Sequence, residues 1–196
     1  MVEPALGRVC SFHPLPPPAK LTEQVLPGIG LCNGIVWHLR YRTRLYCTDG
    51  LNNRILSFVY KVAERRVTGN NGIVFDLDKW IGNQLRPLYY GHAMLGRMTI
   101  DTKGRLWVPL HGGSHVLLII PGAIISVQKA IRIPAVKVSA CVFGGTDKNI
   151  LYVSTLPCGA DEMCPGGDQG GRIFAVNLWD VSGRDAKPFV MPPRTP

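Results

Sequence analysis

The sequence has no apolar stretch long enough to cross a membrane as a helix. Its longest, Val116 to Val127, is interrupted by Pro121-Gly122, well short of the ~18 residues a span requires. The six cysteines contain no C-x-x-C pair. Also absent are G-x-S-x-G, H-E-x-x-H and a phosphate loop, which removes the common serine-hydrolase, zinc-protease and nucleotide-binding classes. No apolar h-region occurs between Met1 and Lys20, which carry Pro14-Leu-Pro-Pro-Pro18 instead. On that ground a soluble, cytoplasmic protein with no membrane partner is expected. Acidic residues are few, 13 against 22 Lys and Arg, for a net charge of +9. The densest basic stretch, His38 to Arg44, alternates like a strand and its turn. It reads as a solvated basic edge, and no nucleic-acid partner is expected.

Turn-forming residues are abundant. Glycine (22) and proline (16) make up about a fifth of the 196 residues, against a usual share near ~12%. With 46% hydrophobic residues the chain is not disordered by composition, so short strands joined by tight turns are expected rather than long helices. Cys47 and Cys141 sit inside apolar runs, where a thiol behaves as a small hydrophobe. Cys158 and Cys164 lie in a glycine-rich loop and could pair if oxidised. Without a secretory signal, free thiols are the expectation for all six, Cys10 and Cys32 included.

Residues 1–19 form a proline-rich leader with no apolar periodicity, expected to lack order. Residues 179–196 are expected to be a tail. Between them the chain repeats. Arg44 to Asp49 and Asn53 to Phe58 read as a strand pair, as do Gly104 to Pro109 with His115 to Ile119, and Asn149 to Ser154 with Gly171 to Val176. A further strand precedes each pair: Gly34 to Trp37, Met98 to Ile100 and Ala140 to Phe143. Leu106 and Leu151 are 45 residues apart; Leu45 and Leu106 are 61 apart, the excess falling between Asn70 and His92. A period near 45 with about four strands per unit is the signature of β-propeller blades, the alternative being an ordinary β-sandwich. Asp101-Thr-Lys-Gly104 and Thr146-Asp-Lys-Asn149 supply turns between strands. Trp37, Tyr46, Trp107 and Tyr152 read as blade-core aromatics rather than a ligand cage. Three units do not close a ring of four to eight, so exposed blade edges, open to self-association, are expected.

The ordered motifs Asn33-Gly-Ile-Val-Trp37, Asp49-Gly-Leu-Asn-Asn-Arg-Ile55, Met98 to Val108, Gly112-Gly113, Cys141-Val-Phe-Gly-Gly145, Ile150 to Ser154 and Gly170 to Phe174 resemble the C-terminal half of the regucalcin, senescence-marker-protein and gluconolactonase family, to which luciferin-regenerating enzyme is similar. The resemblance spans residues 20–178. It implies an all-β chain holding about three blades of a six-bladed propeller. It also implies metal-dependent hydrolysis of a small sugar lactone, with one divalent ion (calcium, zinc, magnesium or manganese) held by a glutamate, two asparagines and an aspartate. Such an ion polarises the lactone carbonyl and acidifies a bound water, and a carboxylate beside that water takes its proton.

By the same resemblance Asn33 falls on the second asparagine ligand. The aspartate is expected in a Pro-Asp-Gly-Met motif, but here the segment is Leu95-Gly-Arg-Met98, so Gly96 occupies its position and Arg97 follows. Glu3 lacks the context of the family's glutamate. With three of four ligands absent, the chain is expected to be inactive on its own: either a partial product of a lactonase-type enzyme, or a catalytically inactive propeller acting as an interaction module. The sequence offers two other candidate groups. His111 and His115 are four apart, but Gly112-Gly113 makes the segment a hairpin turn, with His111 at the loop surface. Asp76 and Asp78 flank Leu77 in what reads as a solvated loop.

Overall fold

The computed structural model describes residues 8–14, 18–24, 26, 29–122 and 126–186. Strand β1 (Val9–His13) pairs antiparallel with β2 (Lys20–Gln24). The leader therefore contributes a strand where no order was expected, because Gln24 ties the hairpin down. Buried Gln24 donates to the Arg65 carbonyl (3.3 Å) and accepts from Val67 N (2.8 Å), satisfying both ends of its amide. Glu3 and residues 15–17 of the proline run lie outside the described residues.

A four-stranded antiparallel meander follows, β3 (Cys32–Trp37), β4 (Arg44–Asp49), β5 (Arg54–Lys61) and β6 (Arg66–Asp76). The segment Asn70 to His92, read from sequence as surplus, thus completes the first sheet. It then forms helix α1 (Leu77–Gly82), capped by Asp76, whose Oδ1 accepts from Lys79 N. The second meander opens with two short strands, β7 (Met94–Leu95) and β8 (Thr99–Ile100). Both pair with β9 (Leu106–His111), which continues to β10 (His115–Ile120) and β11 (Ser126–Arg132). A third comprises β12 (Lys137–Gly144), β13 (Ile150–Leu156) and β14 (Ile173–Asn177), linked to the second through the pair Lys137↔His111. The chain is all-β in class, and this succession of meanders is consistent with part of a β-propeller.

The burial pattern explains the order of the sheets. Along β9, Leu106, Val108 and Leu110 face the first sheet, joining Tyr46, Ile55 and Phe75, whereas Trp107 faces the third, joining Phe143, Leu151 and Val153. A sheet covered on both faces needs continuous apolar strands rather than alternating ones, and β9 and β10 are buried almost throughout. The far face of the first sheet (Leu45, Cys47, Leu56, Phe58) is covered by Leu26 and Ile29 from the segment after β2. The third meander, joined to the second in one eight-stranded sheet, has one buried face. Its other face carries Val142, Tyr152 and Ile173, which are 59%, 36% and 74% exposed. Tyr152 and Trp37 (43% exposed) are therefore not enclosed core aromatics, unlike Tyr46 and Trp107. Residues beyond 178 also depart from a tail: Val181 packs with Leu178 in the second core, and Gly183 bridges Asp101.

Two disulfides replace four of the free thiols expected from the sequence. Cys32 is bonded to Cys47 across the paired strands β3 and β4, and Cys158 to Cys164 within their loop. Strand pairing brings the first two sulfurs together, which spacing alone did not reveal. Cys10 (exposed) and Cys141 (buried) remain free.

Candidate functional site

The three inner segments lie side by side. Gly34 of β3 sits where a Cβ would meet the backbone of Arg97 and Met98 (3.1 and 3.0 Å). Arg97 in turn bridges Ala140 of β12 in parallel, donating its N–H to the Ser139 carbonyl (3.0 Å) and accepting from Cys141 N (3.2 Å). Backbones can approach this closely because glycine occupies the contact points.

Asn33 is exposed at the start of β3, and its Nδ2 donates to the Leu95 carbonyl at 3.5 Å. Its loop is held by Asp49, fully buried, whose carboxylate accepts from Gly30 N and Leu31 N (3.0 Å each) and from Asn52 Nδ2. Gly96, next to Leu95, is buried, with its N–H on the Pro109 carbonyl (2.8 Å). A Cβ there would collide with the Ser139 carbonyl oxygen and lie 2.9 Å from Pro109 Cγ. The donor set at this place is thus one neutral amide beside an exposed arginine, Arg97, and the residues do not fit a divalent ion.

The other groups considered from sequence have structural partners. Asp76 caps α1 and pairs with Arg54 (3.3 Å), while Asp78 accepts from Asn53 Nδ2 (3.1 Å), so neither belongs to a solvated extended loop. His115 is buried, its Nδ1 2.7 Å from the Gly113 carbonyl. A carbonyl only accepts, so Nδ1 carries the proton. Burial lowers the pKa of both His115 and His111, and Lys137 adds to the effect at His111. The basic stretch is not merely a solvated edge. Arg40 and Arg42 line a cleft of about 840 Å³ with Trp37, Tyr60 and Arg184. There burial, then Arg44 and Arg40, lower the pKa of His38, whose Nδ1 accepts from Arg40 N and Tyr41 N (3.1 Å each). A second cleft of about 480 Å³ lies over the inner segments, lined by Ile35, Arg97, Met98, Cys141, Tyr152 and Ile173.

The loop after β13 gathers groups the sequence did not connect. Glu162 contacts Lys137 Nζ and accepts from Gly159 N (2.8 Å); the lysine hydrogen bond, then that backbone bond, hold its carboxyl below the usual range. Asp168 accepts from Val136 N (2.6 Å) and Gly170 N (3.0 Å), fastening the loop to the start of β12. The two cysteines were legible; the carboxylates beside them come from the loop's turns.

The family model described as the SMP-30/Gluconolactonase/LRE-like region matches residues 15–157. The chain belongs to this family. Regucalcin of Gallus gallus is 28% identical over 162 residues, 82% of this chain and 50% of that protein. An uncharacterised protein of Sulfolobus acidocaldarius is 30% identical over 161 residues, with the same coverage. Among solved structures, luciferin-regenerating enzyme superposes with a TM-score of 0.68 at 20% identity, over 84% of this chain and 50% of that one. Regucalcin of Agrobacterium tumefaciens, described as a calcium-binding protein, gives 0.63 at 19%, over 84% and 51%. The chain spans about half the length of these relatives. Among the described residues no helix is long and apolar enough to cross a membrane.

Proposed function

We propose that this chain is the part of a lactonase-type propeller that carries Asn33 but not the carboxylate, and that by itself it hydrolyses no lactone. The observation that carries this reading is the packing at Gly96. In the slot where the family resemblance calls for an aspartate, the Ser139 carbonyl and Pro109 fill the space a side chain would need. In this reading the three meanders are three successive blades of a six-bladed ring. The substrate class of the family, a small sugar lactone, and its divalent ion then belong to the complete ring. A cytoplasmic location and the absence of a nucleic-acid partner are part of the same proposal.

The test is a lactone-hydrolysis assay on the purified chain, without reductant, with calcium, magnesium, manganese or zinc added. Turnover at the buffer rate and no rise in Tm with the ion are expected, since an ion that binds the folded state raises Tm. Turnover abolished by Asn33→Ala would overturn the proposal.

A second reading is favoured by the open face of the third sheet, where Val142, Tyr152 and Ile173 lack a covering layer among the described residues. There another half-ring, or a second copy of this chain, covers the face and completes the propeller. A native mass equal to the monomer, with no gain of turnover, excludes self-completion.

A further inference from the structure

We propose that, once the Cys158–Cys164 disulfide is reduced, Cys158, Glu162 and Cys164 hold a zinc ion. Their ligand atoms, Sγ, a carboxylate oxygen and Sγ, all lie within 4.8 Å of one another. Ligands at the ~2.3 Å zinc–sulfur distance of a tetrahedral site stand about 3.8 Å apart, so side-chain rotation suffices to open the pair around an ion. The Cα atoms, 6.4 Å apart, need not move. Two thiolates and a carboxylate favour zinc over calcium or magnesium, which prefer all-oxygen cages.

The loop presents the carboxylate independently of the sulfurs. Glu162 N donates to the Gly159 carbonyl (3.2 Å) and Gly159 N to Glu162 Oε2 (2.8 Å), a turn that folds Glu162 back over the cysteines. Behind them Asp168, anchored by Val136 N and Gly170 N, has Oδ2 3.5 Å from Cys158 Sγ. Water fills the fourth position. Lys137 now contacts Glu162 and swings away when the ion arrives.

The chemistry balances with a dithiol as reductant. The dithiol gives two electrons and two protons to the S–S bond, becoming a disulfide itself, and leaves two thiols. Zinc then takes both sulfurs as thiolates and releases their protons to solvent. The site is separate from Asn33 and does not depend on lactonase activity.

The experiment titrates zinc alone into the reduced and the oxidised chain against a chromophoric chelator, with cobalt(II) as a spectroscopic substitute. The reduced chain should bind one equivalent and show a thiolate-to-cobalt charge-transfer band. The oxidised chain should show neither. Cys158→Ser/Cys164→Ser should abolish the band, and Glu162→Gln should weaken zinc binding at least tenfold. A reduced chain without the band overturns the proposal, as does equal binding by the oxidised chain. Equal affinity in Glu162→Gln also overturns it, since an unfolded dithiol would bind zinc without the carboxylate.

Discussion

Gly96 and Ser139 meet backbone to backbone: the Ser139 carbonyl occupies the space into which a Cβ on residue 96 would project. The contact joins the segment between β7 and β8 to β12, alongside the bond from Arg97 N to the same carbonyl. Restoring the family's aspartate is therefore a packing problem before it is a question of chemistry. Gly96→Asp is expected to destabilise the chain by about 1–3 kcal/mol, the usual cost of overpacking. Thermal or urea unfolding measures this. A variant as stable as the parent, with a new calcium-dependent rise in Tm, would show that β12 can yield and the slot can be refilled.

Asp101 is the second buried carboxylate with a fixed role. Its oxygens accept from Lys103 N (2.9 Å), Arg105 N (3.0 Å), Arg105 Nε (2.7 Å) and Trp107 Nε1 (3.0 Å). Removing one partner of a buried pair strands the other, a loss of about 3–5 kcal/mol. Asp101→Ala should show it in urea unfolding. Asp101→Ala with Arg105→Met should recover part of the loss; a double variant no better than the single one would mean that Trp107 and the turn, not the ion pair, depend on Asp101.

Stability should fall on acidification. Burial lowers the pKa of His115 below its ordinary value, opposed by its Gly113 hydrogen bond and aided by Arg132. Below about pH 6.5 the unfolded chain takes up a proton that the folded chain resists. The contribution of His115 is thus complete above that pH and is lost as pH falls toward the folded-state value. His38 and His111 shift in the same direction. Chemical unfolding across this window should give a positive slope of stability against pH. In His115→Asn the slope should be shallower by up to one proton, about 1.4 kcal/mol per pH unit. An unchanged slope would assign the effect to the other two.

Much of the fold was legible because local signals agreed. Arg44 to Asp49 is legible as a strand from its Leu45-Tyr46 pair and the turn that follows, and Asp101-Thr-Lys-Gly104 from turn chemistry, with Gly104 at φ +82°. What was missed depended on distant partners. Arg66–Asp76 carries two glycines and two asparagines that argue against a strand, yet β5 pairs along its length. The leader hairpin is held by Gln24, a residue without periodicity to announce it. At the candidate site, Asn33 and Gly96 were found by motif resemblance. That no side chain fits at position 96 required the neighbouring strand.

The amino-acid sequence by itself determined the class, the repeat and the family: short apolar strands, turn residues between them and an ordered run of motifs, all consequences of local pattern. The tertiary structure alone decided which surfaces are covered and which groups meet. Strands β9 and β10 are sealed on both faces, the β12–β14 meander is open on one, Ser139 closes the slot at Gly96, and Glu162 folds back over Cys158 and Cys164. The reason is physical: such contacts join residues far apart along the chain or turned toward one another by a loop, and no short-range pattern encodes the space between them.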